Sequence, residues 1–111
     1  MTVTIWHNPN CSTSRKVLEA LRGRGLEPAV VEYLKTPPDR AALTSMLERM
    51  GAKPSDILRR RGNDELLAGG PDDQALLELM LKHPVLIERP IVATPKGAVL
   101  CRPAERLEEV L

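Results

Sequence analysis

The chain has 111 residues and a formal net charge of +1; 42% of its residues are hydrophobic and 28% are charged. This length favours one compact domain over residues 1–111. The balanced charge gives no reason to expect a nucleic-acid partner, and no apolar run approaches the ~20 residues of a membrane span. Because the first residues also lack the pattern of a secretory signal, we expect a cytoplasmic protein without membrane or nucleic-acid partners.

The first third of the chain has the pattern of a β-α-β unit. A β-type run covers residues 3–6, a helical pattern extends from about 13 to 23, and a second β-type run covers 29–33. Gly23 and Gly25 are suited to ending the helix. We expect the two strands to be parallel, with a right-handed crossover.

Helical patterns dominate the middle of the chain. Asp39 is suited to cap a helix that ends at Gly51, and Pro54 begins a short helix to about Arg60. After an irregular stretch, the residues 71–84 have the pattern of another helix, which His83-Pro84 ends.

The last segment has the pattern of a hairpin followed by a helix. Residues 91–94 and 98–101 flank Pro95-Lys96-Gly97, and Pro103 begins the final helix. The whole order predicts an α/β fold with a mixed four-stranded sheet, built as βαβ, a helical insertion and ββα.

Cys11 is the strongest candidate for a reactive residue. It follows a strand and a turn and directly precedes a helix, where the unpaired N–H groups of the first turn favour a thiolate and can bind an oxyanion. Arg15 and Lys16 add positive charge nearby. A buried, inert cysteine is the alternative, but the polar residues on both sides of Cys11 argue against burial.

Three neighbouring features qualify this interpretation. Ser14 stands where a dithiol motif would have its second cysteine, so it is either a hydrogen-bond donor to the thiolate or an ordinary polar residue of a helix start. His7 either acts on the thiol electrostatically or ends the strand. Cys101 is either a resolving thiol or, as we favour, an inert core residue. No Cys/His spacing indicates a metal site.

Arginines provide candidates for oxyanion binding. Arg59, Arg89 and Arg102 have the planar guanidinium that binds such anions in a bidentate manner, although a single arginine is more often a solvated surface charge. Arg89-Pro90 precedes a β-type run, and a cis-proline there would bring backbone close to the thiol.

Five segments together resemble the glutaredoxin-dependent arsenate reductases. The resemblance runs in order along nearly the whole chain and is carried by the segments His7–Arg15, Tyr33–Pro38, His83–Val92, Thr94–Gly97 and Leu100–Pro103. It implies a thioredoxin-like fold. It also implies that Cys11 attacks arsenate or a similar oxyanion, that glutathione is a co-substrate which releases arsenite, and that glutaredoxin resolves the remaining mixed disulfide. No tightly bound cofactor is implied.

The resemblance also assigns roles to individual residues. Arg59, Arg89 and Arg102 fall on the arginines that hold the oxyanion, and the run 59–61 leaves open whether Arg59 or Arg60 is the first of them. The positions that tune the cysteine are His7, Ser14 and Arg15, and Pro90 falls on the family's cis-proline.

Two other interpretations compete with an arsenate reductase. The related redox regulators of the Spx group bind RNA polymerase and sense oxidants with a Cys-x-x-Cys switch, which Ser14 removes from this chain. A glutathione-linked thiol oxidoreductase, or an inactive relative that only binds glutathione, is compatible with a single reactive cysteine. Arsenite formation by the purified protein distinguishes these possibilities.

Overall fold

The computed structural model describes residues 2–111. They divide into two compact units: a sheet unit, formed by the chain up to Thr36 together with Arg89–Leu111, and a helical unit, Pro37–Glu88. The expectation of one domain over residues 1–111 stays a prediction.

The sheet unit contains four strands in the order β2-β1-β3-β4. The strands are β1 Thr4–Trp6, β2 Ala29–Val31, β3 Ile91–Thr94 and β4 Gly97–Leu100. β1 pairs with β2 in parallel, whereas the β1–β3 and β3–β4 pairs are antiparallel. The predicted α/β fold with a parallel βαβ unit, an antiparallel hairpin and a mixed four-stranded sheet is therefore confirmed.

Four strand boundaries differ from the predicted ones, among them the start of β1 at Thr4 rather than at residue 3 and the end of β4 at Leu100 rather than at residue 101. β2 ends at Val31 rather than at residue 33, because a turn follows in which the N–H groups of Lys35 and Thr36 both donate to the carbonyl of Glu32. β4 begins at Gly97, which pairs with Thr94 and leaves a two-residue turn.

Helix α1, Ser12–Gly23, packs on the sheet through an apolar core. Strand register aligns Ile5 with Val92 and Val92 with Val99, so these side chains lie side by side on one face. Val17 and Leu21 of α1 belong to the same cluster and are almost completely buried. Burial of such a side chain contributes roughly 1.5–3 kcal/mol.

The predicted final helix is a 3₁₀ helix, Ala104–Val110. Leu107 and Val110 complete the core of the sheet unit. The buried Thr94 hydroxyl donates a hydrogen bond to the carbonyl of Val110 at 2.6 Å, which fixes the end of this segment to β3.

The helical unit contains two capped α-helices, α2 Arg40–Met50 and α3 Asp73–Lys82. The Asp39 carboxylate accepts the N–H of Ala42, and the Asp72 carboxylate accepts the N–H of Ala75, as expected for N-caps. Gly51 ends α2 with φ +62°, a left-handed conformation that glycine adopts without strain.

Two short 3₁₀ helices complete the helical unit, Pro54–Ile57 and Pro84–Leu86. The first is shorter than the predicted helix to Arg60, because Leu58 is already extended and forms a β-bridge with Ile87. None of the helices formed by residues 2–111 is long and apolar enough to cross a membrane.

Candidate active site

Cys11 lies at the N-cap of α1, at the end of a tight turn that follows β1. The Cys11 N–H donates to the carbonyl of Asn8 at 3.0 Å, and the side-chain oxygen of Asn8 accepts the N–H of Asn10 at 2.9 Å. Cys11 is extended (φ −102°, ψ 122°) and half-buried. The Asn-Pro-Asn turn thus places the thiol at the positive end of the helix.

The pKa of Cys11 lies below the usual value of a thiol. Burial alone would raise it, but this effect is outweighed by the backbone N–H groups of Ser14 and Thr13 and by the guanidinium of Arg89 through hydrogen bonding and charge. These groups favour the thiolate, which is the nucleophilic form of cysteine.

Arg89 and Arg102 both reach the sulfur. Nη1 of Arg102 lies 3.8 Å from Cys11 Sγ and also donates to the carbonyl of Arg89 at 3.2 Å. Nε of Arg89 is buried and has no hydrogen-bond partner within residues 2–111. The Arg89–Pro90 peptide bond is cis, and so is Arg102–Pro103, a feature that the sequence reasoning missed.

The Ser14 side chain, for which the sequence left two roles open, bonds to neither the thiol nor solvent but to the turn. Its hydroxyl is fully buried, lies 2.6 Å from Nδ1 of His7 and accepts the N–H of Asn8 at 3.1 Å. The hydroxyl therefore braces the turn, and the thiolate is favoured by the backbone N–H of Ser14 rather than by its side chain.

His7 is buried at the end of β1, where its N–H donates to the carbonyl of Val31 at 2.8 Å. Burial lowers the pKa of His7; the charge of Glu32 opposes this, and those of Arg22 and Arg15 add to it. A neutral imidazole at neutral pH follows. His7 contacts Ser14, so its connection to the thiol is indirect.

Comparison with known proteins agrees with this geometry. The sequence model of the ArsC family matches residues 6–110. The chain belongs to the ArsC family. It is 49% identical to an arsenate reductase of Rhizobium meliloti (strain 1021), with 100% of this chain and 82% of that protein covered. It is 45% identical to an arsenate reductase of Escherichia coli, with 98% and 80% covered.

A solved structure confirms the fold. An arsenate reductase from Vibrio cholerae superimposes with a TM-score of 0.89 at 36% identity, covering 100% of this chain and 98% of that one. The expected thioredoxin-like arrangement of the ArsC family is therefore present here.

Two further arginines assigned from the resemblance have partners within their own units. Arg15 donates from Nη1 to the carbonyl of Pro9 at 2.8 Å, so its guanidinium closes the turn before the cysteine. Arg59 belongs to the helical unit, where its Nη1 lies 3.0 Å from Oε1 of Glu88 and its N–H donates to the carbonyl of Leu86. The role of Arg59 toward an oxyanion stays a prediction.

Cys101 is fully buried beside the strands of the sheet unit. Burial raises the pKa of its thiol to about 12, and its N–H donates to the carbonyl of Pro90 at 2.9 Å. A protonated, inaccessible thiol is a poor nucleophile. This environment agrees with the interpretation of Cys101 as a core residue in an ArsC-family protein.

Asn8 is a residue of the site that sequence reasoning treated only as a polar neighbour. Its carbonyl, N–H and side-chain oxygen each make one of the hydrogen bonds that shape the turn. The Asn-Pro-Asn pattern was the available signal, because asparagine side chains commonly bond to backbone two residues further on.

Proposed function

We propose that this protein is an arsenate reductase in which Cys11 is the nucleophile, glutathione the co-substrate and glutaredoxin the partner that restores the thiol. The observation that carries the proposal is the Arg89 guanidinium beside Cys11, with a buried Nε that has no partner within residues 2–111. A buried donor without a partner costs about 1–3 kcal/mol, and an oxyanion at this position would satisfy it.

The first step is attack of the Cys11 thiolate on arsenic. A sulfur–arsenic bond forms, one arsenate oxygen leaves as water after protonation, and arsenic remains As(V). Arg89 and Arg102 both contact the sulfur, so we assign to them the neutralisation of the incoming anion's charge. The first-turn N–H groups of α1 add further donors.

The second step is the reduction. A glutathione thiolate attacks the Cys11 sulfur, a disulfide bond forms and the sulfur–arsenic bond breaks. Its electron pair goes to arsenic, which becomes As(III) and leaves as arsenite after protonation, while each sulfur is oxidised by one electron. Ser14 at the position of a second motif cysteine and the buried thiol of Cys101 are the reasons to assign an external thiol.

The third step restores the enzyme. A second glutathione, through glutaredoxin, attacks the mixed disulfide and releases the Cys11 thiolate, with glutathione disulfide as the product. Glutathione is thus a co-substrate rather than a bound cofactor. This chemistry suits the cytoplasm, where glutathione keeps thiols reduced.

Arsenite formation tests the proposal. Purified protein supplied with arsenate, glutathione and glutaredoxin should produce arsenite; omission of arsenate or glutathione should stop production, and omission of glutaredoxin should limit it to the first turnover. If the folded protein forms no arsenite above background but exchanges readily with glutathione disulfide, arsenate is the wrong substrate and a glutathione-linked thiol oxidoreductase is the better description.

A further inference from the structure

A pocket of about 370 Å³ opens beside the reactive cysteine, within the sheet unit. Its walls come from the first turns of α1 and from the segment after β4: Thr13, Lys16, Arg102, Pro103, Ala104 and Glu105. The volume lies in the about 300–1,000 Å³ range of small-molecule sites. Arg102 connects the pocket to the chemistry, because its Nη1 is also 3.8 Å from Cys11 Sγ.

Two of the three charged side chains of this pocket, those of Lys16 and Glu105, are not used within residues 2–111. Neither Lys16 nor Glu105 has a hydrogen-bond or ion-pair partner among residues 2–111, although both line the same pocket. By contrast, the neighbouring Arg106 is paired with Glu109, and Arg24 with Glu108. Two cations and one carboxylate therefore face a common space with room for a ligand that has charges of both signs.

We propose that this pocket binds the peptide ends of glutathione while its sulfur reacts at Cys11. Glutathione has two carboxylates and one ammonium group, so Lys16 and Arg102 attract the carboxylates and Glu105 accepts the ammonium. The inference rests on the proposed use of glutathione and specifies which residues recognise it.

The recognition is tested in one step of thiol–disulfide exchange, without arsenate. The Cys11 thiolate attacks one sulfur of glutathione disulfide, a bond forms between Cys11 and that glutathionyl group, and the other glutathione leaves as its thiolate. A Cys101→Ser background leaves one cysteine to react. Intact mass spectrometry then gives the second-order rate constant.

Lys16→Ala should lower that rate constant about two- to fivefold, the range expected from loss of one exposed ion pair. Lys16→Glu should lower it by roughly tenfold, because repulsion replaces attraction. Both changes should slow the reaction with bis(2-hydroxyethyl) disulfide, which is uncharged, less than the reaction with glutathione disulfide, and Lys16→Glu should accelerate reaction with cystamine, which is cationic. Added salt should reduce these differences.

The role of Glu105 is tested with a ligand that lacks the ammonium group it is proposed to bind. Wild type should react faster with glutathione disulfide than with its N-acetylated form, which lacks the ammonium groups. Glu105→Gln should reduce this preference toward one. Lys82→Ala and Glu19→Gln are matched controls, since both residues are exposed and neither lines the pocket.

Two results would overturn the inference. One is a Lys16→Ala rate with glutathione disulfide equal to that of the Lys82→Ala control. The other is equal slowing with charged and uncharged disulfides, which would assign Lys16 to the reactivity of the thiol rather than to the ligand. Absence of arsenite formation would contradict the proposed function but would leave both exchange comparisons decisive.

Discussion

The guanidinium of Arg102 lies 3.8 Å from the sulfur of Cys11, although 91 residues separate the two in sequence. The same nitrogen donates to the carbonyl of Arg89 at 3.2 Å, which holds the guanidinium in place. Arg89 precedes the hairpin of β3 and β4, and Arg102 follows it. Because the two strands are antiparallel, both arginines lie at the same end of the hairpin, beside the thiol.

Arg102→Ala should lower kcat/KM for arsenate by about 10–100-fold, since hydrogen bonds to charged groups are worth about 1.5–3 kcal/mol. Steady-state arsenite formation at varied arsenate measures this. Arg106→Ala is the control, because Arg106 is exposed and paired with Glu109. Equal kinetics for the two variants would remove Arg102 from the site.

The reactivity of Cys11 should persist at a pH where ordinary thiols are inactive. Because the pKa of Cys11 is lowered, the thiolate remains populated as the pH falls below the ordinary thiol value of about 8.5. The rate of iodoacetamide alkylation against pH, in a Cys101→Ser background, gives the apparent pKa. A value at or above 8.5 would contradict the activated thiolate.

Cys11→Ser should abolish arsenite formation, whereas Cys101→Ser should retain most of it. The first change removes the nucleophile, and the second removes a buried thiol whose pKa is raised to about 12. Both variants are compared in the arsenite assay after their folding is checked by circular dichroism. An inactive but folded Cys101→Ser protein would mean that Cys101 resolves an intermediate.

Ser14→Ala should destabilise the protein by about 1–3 kcal/mol, because it leaves the buried His7 ring nitrogen and Asn8 N–H without their partner. Urea denaturation measures the free energy of unfolding. Ser12→Ala, an exposed position in the same helix turn, should change it by less than about 0.5 kcal/mol. Similar values for both variants would show that the His7–Ser14 contact is unimportant for stability.

Arg59→Ala and Arg60→Ala distinguish the two possible registers of the first oxyanion arginine. Arg59 is half-buried and paired with Glu88, whereas Arg60 is exposed. We expect Arg59→Ala to raise the KM for arsenate about tenfold or more, as for loss of a charge-assisted contact, and Arg60→Ala to leave it within about twofold. The opposite order would move the assignment by one residue.

Local patterns predicted most of the fold. The caps at Asp39 and Gly51, the turn before Cys11 and the hairpin at β3–β4 all depend on neighbouring residues, and all are present. Two of the errors have different causes. β2 ends early because the carbonyl of Glu32 accepts two hydrogen bonds of a local turn. Pro54–Ile57 is a short 3₁₀ helix because Leu58 forms a β-bridge with Ile87, which is distant in sequence.

The reactive cysteine of the site could be predicted from the sequence, but the side chains that contact it could not. The position of Cys11 before a helix start indicated a lowered pKa. The cation responsible could not be predicted from spacing: Arg15, four residues away, binds the turn at Pro9, while Arg89 reaches the sulfur. Likewise, the sequence left open whether the Ser14 hydroxyl bonds to the thiolate, and in the fold its partner is His7.

The position of Cys11 at the cap of α1 links the redox state of the sulfur to the conformational stability of the protein. If the fold favours the thiolate, the thiolate favours the fold by the same free energy. Because the folded pKa is lowered, this contribution is present above the unfolded pKa and is lost as the pH falls through the folded pKa. Formation of the mixed disulfide with glutathione also removes the negative charge from the sulfur. The resting thiolate is therefore the form that this contribution stabilises. A thermal melting curve can then distinguish protein with a free Cys11 thiolate from protein whose Cys11 is in a mixed disulfide.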